Sequence, residues 1–111
     1  MAKSQQRKGA DGERELAAIL TAEGFSVDRG GSLSFGEVPD LIGLSGIHIE
    51  VKRCETLRLT EWLQQSIADS QRFRDGLPTV FHRRNRQPWL VTMRLSDWLR
   101  IYREYTENHH T

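Results

Sequence analysis

The sequence has one cysteine, Cys54, and four scattered histidines. A single cysteine excludes an internal disulfide, and so sparse a set of soft ligands argues against a structural zinc site. No apolar run is long enough to span a bilayer and no signal-peptide pattern is visible. The expectation is therefore a cytoplasmic protein in a reducing compartment, without a membrane partner. Strong charge of either sign is also lacking. The net charge is +1, so any contact with a polyanion must come from local clusters rather than from the bulk field. There is no internal repeat and no low-complexity tract. The 111 residues, 37% of them hydrophobic, suffice for one compact domain with a modest core.

The stretch on which the chain turns is residues 38–53, VPDLIGLSGIHIEVKR. Two short apolar runs flank Ser45-Gly46, the pattern of a β-hairpin. Alternation along the second strand sends Ile47, Ile49 and Val51 to one face and His48, Glu50 and Lys52 to the other. Glu50 and Lys52 then stand about 7 Å apart on one face. The register decides whether Asp40 joins them. A two-residue Ser45-Gly46 loop pairs Asp40 with Val51 and puts it on the wrong face. A three-residue turn, Leu44-Ser45-Gly46, pairs Asp40 with Glu50. Two carboxylates placed side by side repel unless a cation joins them, so the second register is the one that makes a metal site. An edge hairpin with solvated charges is the other reading.

Elsewhere the pattern is ordinary. Residues 1–8 are polar with Lys3, Arg7 and Lys8, a flexible basic arm that either frays or touches phosphates. Residues 11–23 read as a helix capped by Asp11 and stopped by Gly24. Its apolar stripe is Leu16, Ile19 and Leu20. Glu13 shares that inward face and Glu15 does not. A short strand, 25–29, leads into a Gly/Ser loop, whose Ser32 and Ser34 allow close backbone approach to a polyanion. Leu33 and Phe35 within it are core anchors or partner surface. Residues 59–73 form a second helix, with Thr60 as cap and Trp62 in the core. Strands at 79–82 and 89–92 enclose Arg83, Arg84 and Arg86, the densest basic cluster and a candidate phosphate contact. Ser96 caps a last helix, 97–105, with Trp98, Leu99 and Tyr102 inward. One compact domain, 9–105, is thus expected between the arm and a flexible tail, 106–111.

Pro39-Asp40 followed by Glu50-Val51-Lys52 resembles the PD-(D/E)xK signature of the restriction-endonuclease-like nucleases. Residues 7–15, RKGADGERE, resemble the opening of archaeal-type Holliday junction resolvases. The two motifs occur in the same order as in that family, and the likeness covers about residues 7–92. The later half, with His82-Arg83-Arg84-Asn85 and Trp89-Leu90-Val91, looks closer to small phage or prophage members, which implies a bacterial cell with a phage- or prophage-encoded gene as one origin.

The resemblance implies an α/β fold, a restriction-endonuclease-like mixed β-sheet flanked by helices in the order α-β-β-β-α-β-β-α. It implies a metal-dependent endonuclease acting on phosphodiester bonds in branched DNA, foremost a Holliday junction resolvase. A flap or nicking nuclease of phage recombination or repair, and a non-catalytic DNA-binding module on the same fold, are the alternatives. By resemblance, Glu13, Asp40, Glu50 and Lys52 are catalytic. Asp40, Glu50, the Val51 carbonyl and Glu13 hold Mg²⁺, with Mn²⁺ able to substitute. Lys8, Arg14, Arg29, Ser32, Ser34, Arg83, Arg84 and Arg86 contact DNA, and Gln65 assists at the active face. A four-way junction needs two symmetric cuts, so a homodimer is expected. Its interface candidates are Leu33, Phe35, Trp98 and Tyr102.

Overall fold

The computed structural model describes residues 2–30 and 38–109, with the backbone but not the side chains of residues 2–8. Its elements are α1 (Ala2–Ala22), β1 (Asp28–Arg29), β2 (Leu41–Ile42), β3 (Ile47–Arg53), α2 (Leu59–Phe73), β4 (Leu77–Arg83), β5 (Leu90–Met93) and α3 (Leu95–His109). This is the expected order. The strands form one mixed sheet, β1-β2-β3-β4-β5. Neighbours are antiparallel except β3 and β4, which run parallel. A parallel pair cannot be joined by a tight turn, and α2 is the crossover that joins this one.

The two faces of β3 have opposite characters. Ile49 and Val51 join Leu16 of α1 with Val27, Leu41 and Phe81 in the apolar core. The other face carries His48, Glu50 and Lys52, and α2 lies over it. Trp62, Ser66 and Ser70 are the buried residues of α2. The Ser66 hydroxyl donates to the Thr79 carbonyl at 3.0 Å, tying the helix to β4. Trp62 packs its ring against His82 at 5.7 Å between centroids, in the core position expected of it. The polar face of the hairpin is therefore roofed rather than open to solvent.

Five local expectations differ. Helix α1 begins at Ala2, upstream of the Asp11 cap, because Ala, Gln, Lys and Arg before it all favour helix. Helix α2 has no side-chain cap: it opens on Arg58, whose carbonyl accepts the Trp62 N–H at 3.0 Å, and Thr60 already lies inside it. Helix α3 opens on Arg94, whose carbonyl accepts the Trp98 N–H at 3.0 Å, so Ser96 lies inside it and does not cap it. It continues to His109, whose ring Nδ1 meets the Tyr105 carbonyl at 2.8 Å and stacks on the Tyr105 ring. Trp98 and Tyr102, expected inward, are each 47% exposed. Asp97 takes the inward position instead, with its carboxylate held by Arg94 Nε at 2.8 Å. The aromatic stripe of the helix faces solvent.

Helix α1 crosses β3 at Gly12. A Cβ there would stand 2.7 Å from Arg53 Cβ and 3.6 Å from Val51 Cγ1, so the glycine permits the close crossing. Gly9, one turn earlier, has nothing within 4 Å of an added Cβ. Alanine at Gly9 should therefore stabilise the protein by about 0.5–1 kcal/mol through helix propensity. At Gly12 the clash reverses the sign, and a loss of about 1–3 kcal/mol is expected. Urea unfolding of the two single variants checks this. Stabilisation by both would mean that α1 does not press on β3 at Gly12.

Candidate active site

The hairpin adopts the three-residue-turn register. Leu41 faces Ile49 across β2 and β3, which sets Asp40 opposite Glu50. The Ile47 N–H closes the turn on the Leu44 carbonyl at 3.0 Å, and Gly43 and Gly46 supply its positive φ angles of 134° and 84°. Asp40 is fixed from two sides. Its Oδ2 accepts the Val51 N–H at 2.9 Å, and its carbonyl accepts the Gly30 N–H at 3.1 Å.

Three layers converge on this pair. From α1, Glu13 reaches the Asp40 side and accepts a hydrogen bond from Arg29 Nε of β1 at 3.2 Å. From β3, Lys52 Nζ donates to Gln65 Oε1 of α2 at 2.8 Å. One turn further along α2, the Asp69 carboxylate lies beside Glu50. Next to Glu50, His48 places Nε2 2.9 Å from Glu50 Oε1 and Nδ1 2.8 Å from both oxygens of Asp75. Residues 65, 69 and 73 recur at helical spacing along α2, and they meet Lys52, Glu50 and His48 in turn.

The carboxylates are held against their preference to ionise. Burial drives the Glu50 pKa up to about 7. The His48 hydrogen bond opposes this, and the negative charges of Asp40 and Asp69 add to it. Asp40 is also raised by burial, despite the Val51 N–H and the Lys52 charge. Burial and then Asp40 raise Glu13, against Arg29. Burial alone would lower His48, but its bonds to Glu50 and Asp75 outweigh it and raise the imidazole. Carboxylates crowded at low dielectric until they resist ionisation could be relieved by a divalent cation. Oxygen donors predominate, which suits a hard ion such as Mg²⁺ or Mn²⁺. One ligand atom each from His48, Glu50 and Asp69 also lie within 4.8 Å of one another.

Of the residues singled out in the sequence, Glu13, Arg29, Asp40, Glu50, Val51, Lys52 and Gln65 come together here. Val51 contributes its backbone, since its side chain is in the core. Arg14 is not part of the cluster: it is exposed and pairs with Asp11 at 3.2 Å. Arg83 is committed elsewhere, to Glu15 of α1 and to the Gln87 carbonyl at 2.7 Å. Trp89 Nε1 also donates to Glu15, at 2.8 Å. Glu15, off the apolar stripe, thus clamps α1 to the start of β5, and Arg83 and Trp89 lower its pKa in spite of burial. Arg84 and Arg86 are exposed. The Lys8 side chain, Ser32, Leu33, Ser34 and Phe35 lie outside the described residues.

Sequence reasoning missed His48, Asp69 and Asp75. Strand alternation already placed His48 beside Glu50, and Asp69 lies four residues beyond Gln65. Both signals were present, but neither residue belongs to the motif.

A model of the archaeal Holliday junction resolvase (hjc) family matches residues 4–99 of the chain. Among solved structures, the chain is similar to Hjc of Archaeoglobus fulgidus, described as a Holliday junction resolvase from an archaeal hyperthermophile. That likeness has a TM-score of 0.58 at 24% identity, over 78% of this chain and 72% of the other. No significant match is found among curated proteins.

Proposed function

The chain belongs to the archaeal Holliday junction resolvase family, and from that premise we propose that it is a Mg²⁺-dependent endonuclease that cuts four-way DNA junctions, with Mn²⁺ able to replace Mg²⁺. The observation that carries this reading is the facing pair Asp40 and Glu50, with Lys52 on the same strand face as Glu50. A module that only binds DNA gains nothing from carboxylates crowded beside phosphate.

Asp40, Glu50 and the Val51 carbonyl would hold the ion, with Glu13 completing the acidic rim. When bound, the ion supplies Lewis-acid stabilisation of charge on the scissile phosphate and acidifies the attacking water. Lys52 donates to the phosphate oxygen on which negative charge grows. Gln65 fixes the direction of that ammonium. Arg29 holds Glu13 in place and offers its remaining donors to a phosphate. Further along the duplex, Lys8, Arg14, Ser32, Ser34, Arg84 and Arg86 supply backbone contacts.

Because Arg83 is paired with Glu15, the phosphate contact of the basic turn falls to its exposed neighbours. Arg84→Ala combined with Arg86→Ala should weaken DNA binding and flatten its salt dependence by up to about two units, at about 0.9 per lost contact. Fluorescence anisotropy across a salt series reads the slope. An unchanged slope would return both arginines to a solvated surface.

The exposed stripe of α3 supports a homodimer. Leu95, Trp98, Ile101, Tyr102 and Tyr105 are each at least 40% exposed. Trp98 stacks on Tyr102 at 5.1 Å and Tyr102 on Tyr105 at 6.1 Å, giving a preformed aromatic ladder. Self-association of this face on a two-fold axis would bring two active sites to one junction. Among the described residues, no helix is long and apolar enough to cross a membrane. Incubating the protein with matched four-way, flap, nicked and linear DNA in Mg²⁺ tests the substrate. Preference for flap or nicked DNA would replace the junction reading.

A further inference from the structure

His48 is 1% exposed and belongs to no motif, yet it makes the most completely bonded side chain at the site. Its Nε2 lies 2.9 Å from Glu50 Oε1. Its Nδ1 is bisected by the Asp75 carboxylate, 2.8 Å from each oxygen. The ring stacks on Phe73 at 6.4 Å with 19° between planes, and Arg72 sits over the far ring at 4.9 Å. The turn that delivers Asp75 is built for the purpose. Arg74 ends α2 in the left-handed conformation, φ 51°, and Gly76 follows at φ 127°. A Cβ on Gly76 would meet the Gly46 carbonyl carbon at 2.3 Å, so only glycine lets this turn lie against the hairpin.

We propose that His48 is a positioning residue, anchored by Asp75, that holds one oxygen of Glu50 and so leaves the other aimed at the metal position. The role rests on the reading of Glu50 as a metal ligand. Both ring nitrogens are spent on carboxylates, so His48 acts through Glu50 and is not itself a ligand. Glu50 has several side-chain torsions, and a buried, crowded carboxylate without this hold would turn away from Asp40 or pair with Asp69 alone. Asp75 does for His48 what His48 does for Glu50: it sets the ring orientation from a residue that is itself on a constrained turn.

The test is Mn²⁺ binding without DNA, read from the loss of the free-ion electron paramagnetic resonance signal, with thermal melting to confirm folding. Glutamine sets its amide nitrogen near the place of Nε2, and asparagine near the place of Nδ1. His48→Leu should weaken Mn²⁺ binding about 10–100-fold, the range for a lost outer partner of a ligand. His48→Gln should restore most of it, whereas His48→Asn should remain as weak as the leucine variant. Asp75→Ala, at a partly exposed position that tolerates change, should weaken binding in the same direction. Equal affinity of the Gln and Asn variants, or wild-type affinity in His48→Leu or Asp75→Ala, would overturn the positioning role while leaving the metal site intact. A wild-type protein that takes up no Mn²⁺ overturns the metal reading and the role of His48 with it.

Discussion

Glu50→Gln is expected to abolish cleavage of four-way DNA and, without divalent ions, to make the fold more stable at pH 8. The loss of cleavage would follow from removing the proposed metal ligand at the centre of the candidate site. The amide keeps the shape but not the charge, and a fall of at least about 10²–10³ in rate is the scale set by removing one preorganised electrostatic partner. The gain in stability has a separate origin. Glu50 is 3% exposed, and its pKa in the fold is about 7 against an ordinary 4.5. The folded protein therefore keeps the proton to higher pH than the unfolded chain. The resulting stability is complete below about pH 4.5 and is lost as pH rises towards 7 and through it. The amount is on the order of 3 kcal/mol for Glu50 alone. Asp40, Glu13 and His48 are also raised, so their contributions fall with pH in the same sense. Urea melts from pH 5 to pH 8 should show wild type weakening and Glu50→Gln weakening less. Mg²⁺ should restore wild type at pH 8 and do little for the variant. A Glu50→Gln enzyme that cuts at the wild-type rate in Mg²⁺ would remove Glu50 from the chemistry.

The second large effect concerns assembly. Trp98→Asp with Tyr102→Asp should break the proposed homodimer into monomers and uncouple the two incisions of a junction. Aromatic anchors at the centre of an interface are worth about 2 kcal/mol or more each, and on a two-fold axis each counts twice. Buried carboxylates add a further penalty without partners. Light scattering at micromolar protein reads the assembly, and a junction labelled on opposing strands reads the incisions. The variant should still bind metal, because α3 contributes no residue to the site, but it should nick one strand at a time. A wild-type monomer that cuts both strands together would discard the α3 interface.

The sequence carried the core of the site because the hairpin is short and strictly alternating. Once Leu41, Ile49 and Val51 must face one core, Asp40 and Glu50 are forced to the other side, and the odd-length turn follows. Glu13 was legible for a similar reason, since it lies on the inward stripe of α1. The roof over the site was not legible from periodicity alone. The apolar stripe marks α2 as a helix, but nothing local states that Gln65, Asp69 and Phe73 sit over β3 while Trp62 and Ser66 sit over β4. The Arg83–Glu15 ion pair joins residues 68 positions apart, so the basic turn looked like one phosphate-binding cluster and is in fact divided between structure and surface. Trp98 and Tyr102 were misplaced because a helical aromatic stripe looks alike in the sequence whether it meets a core or stays exposed.

The measurement that bears most directly on the account is cleavage of a labelled four-way junction beside a linear duplex of the same arm sequence, in Mg²⁺ and again with the metal chelated. Paired, symmetric incisions in the junction, an intact duplex, and no cutting of either once the metal is removed are the expected result. Equal cutting of the duplex, or incision that persists without divalent ions, would contradict it.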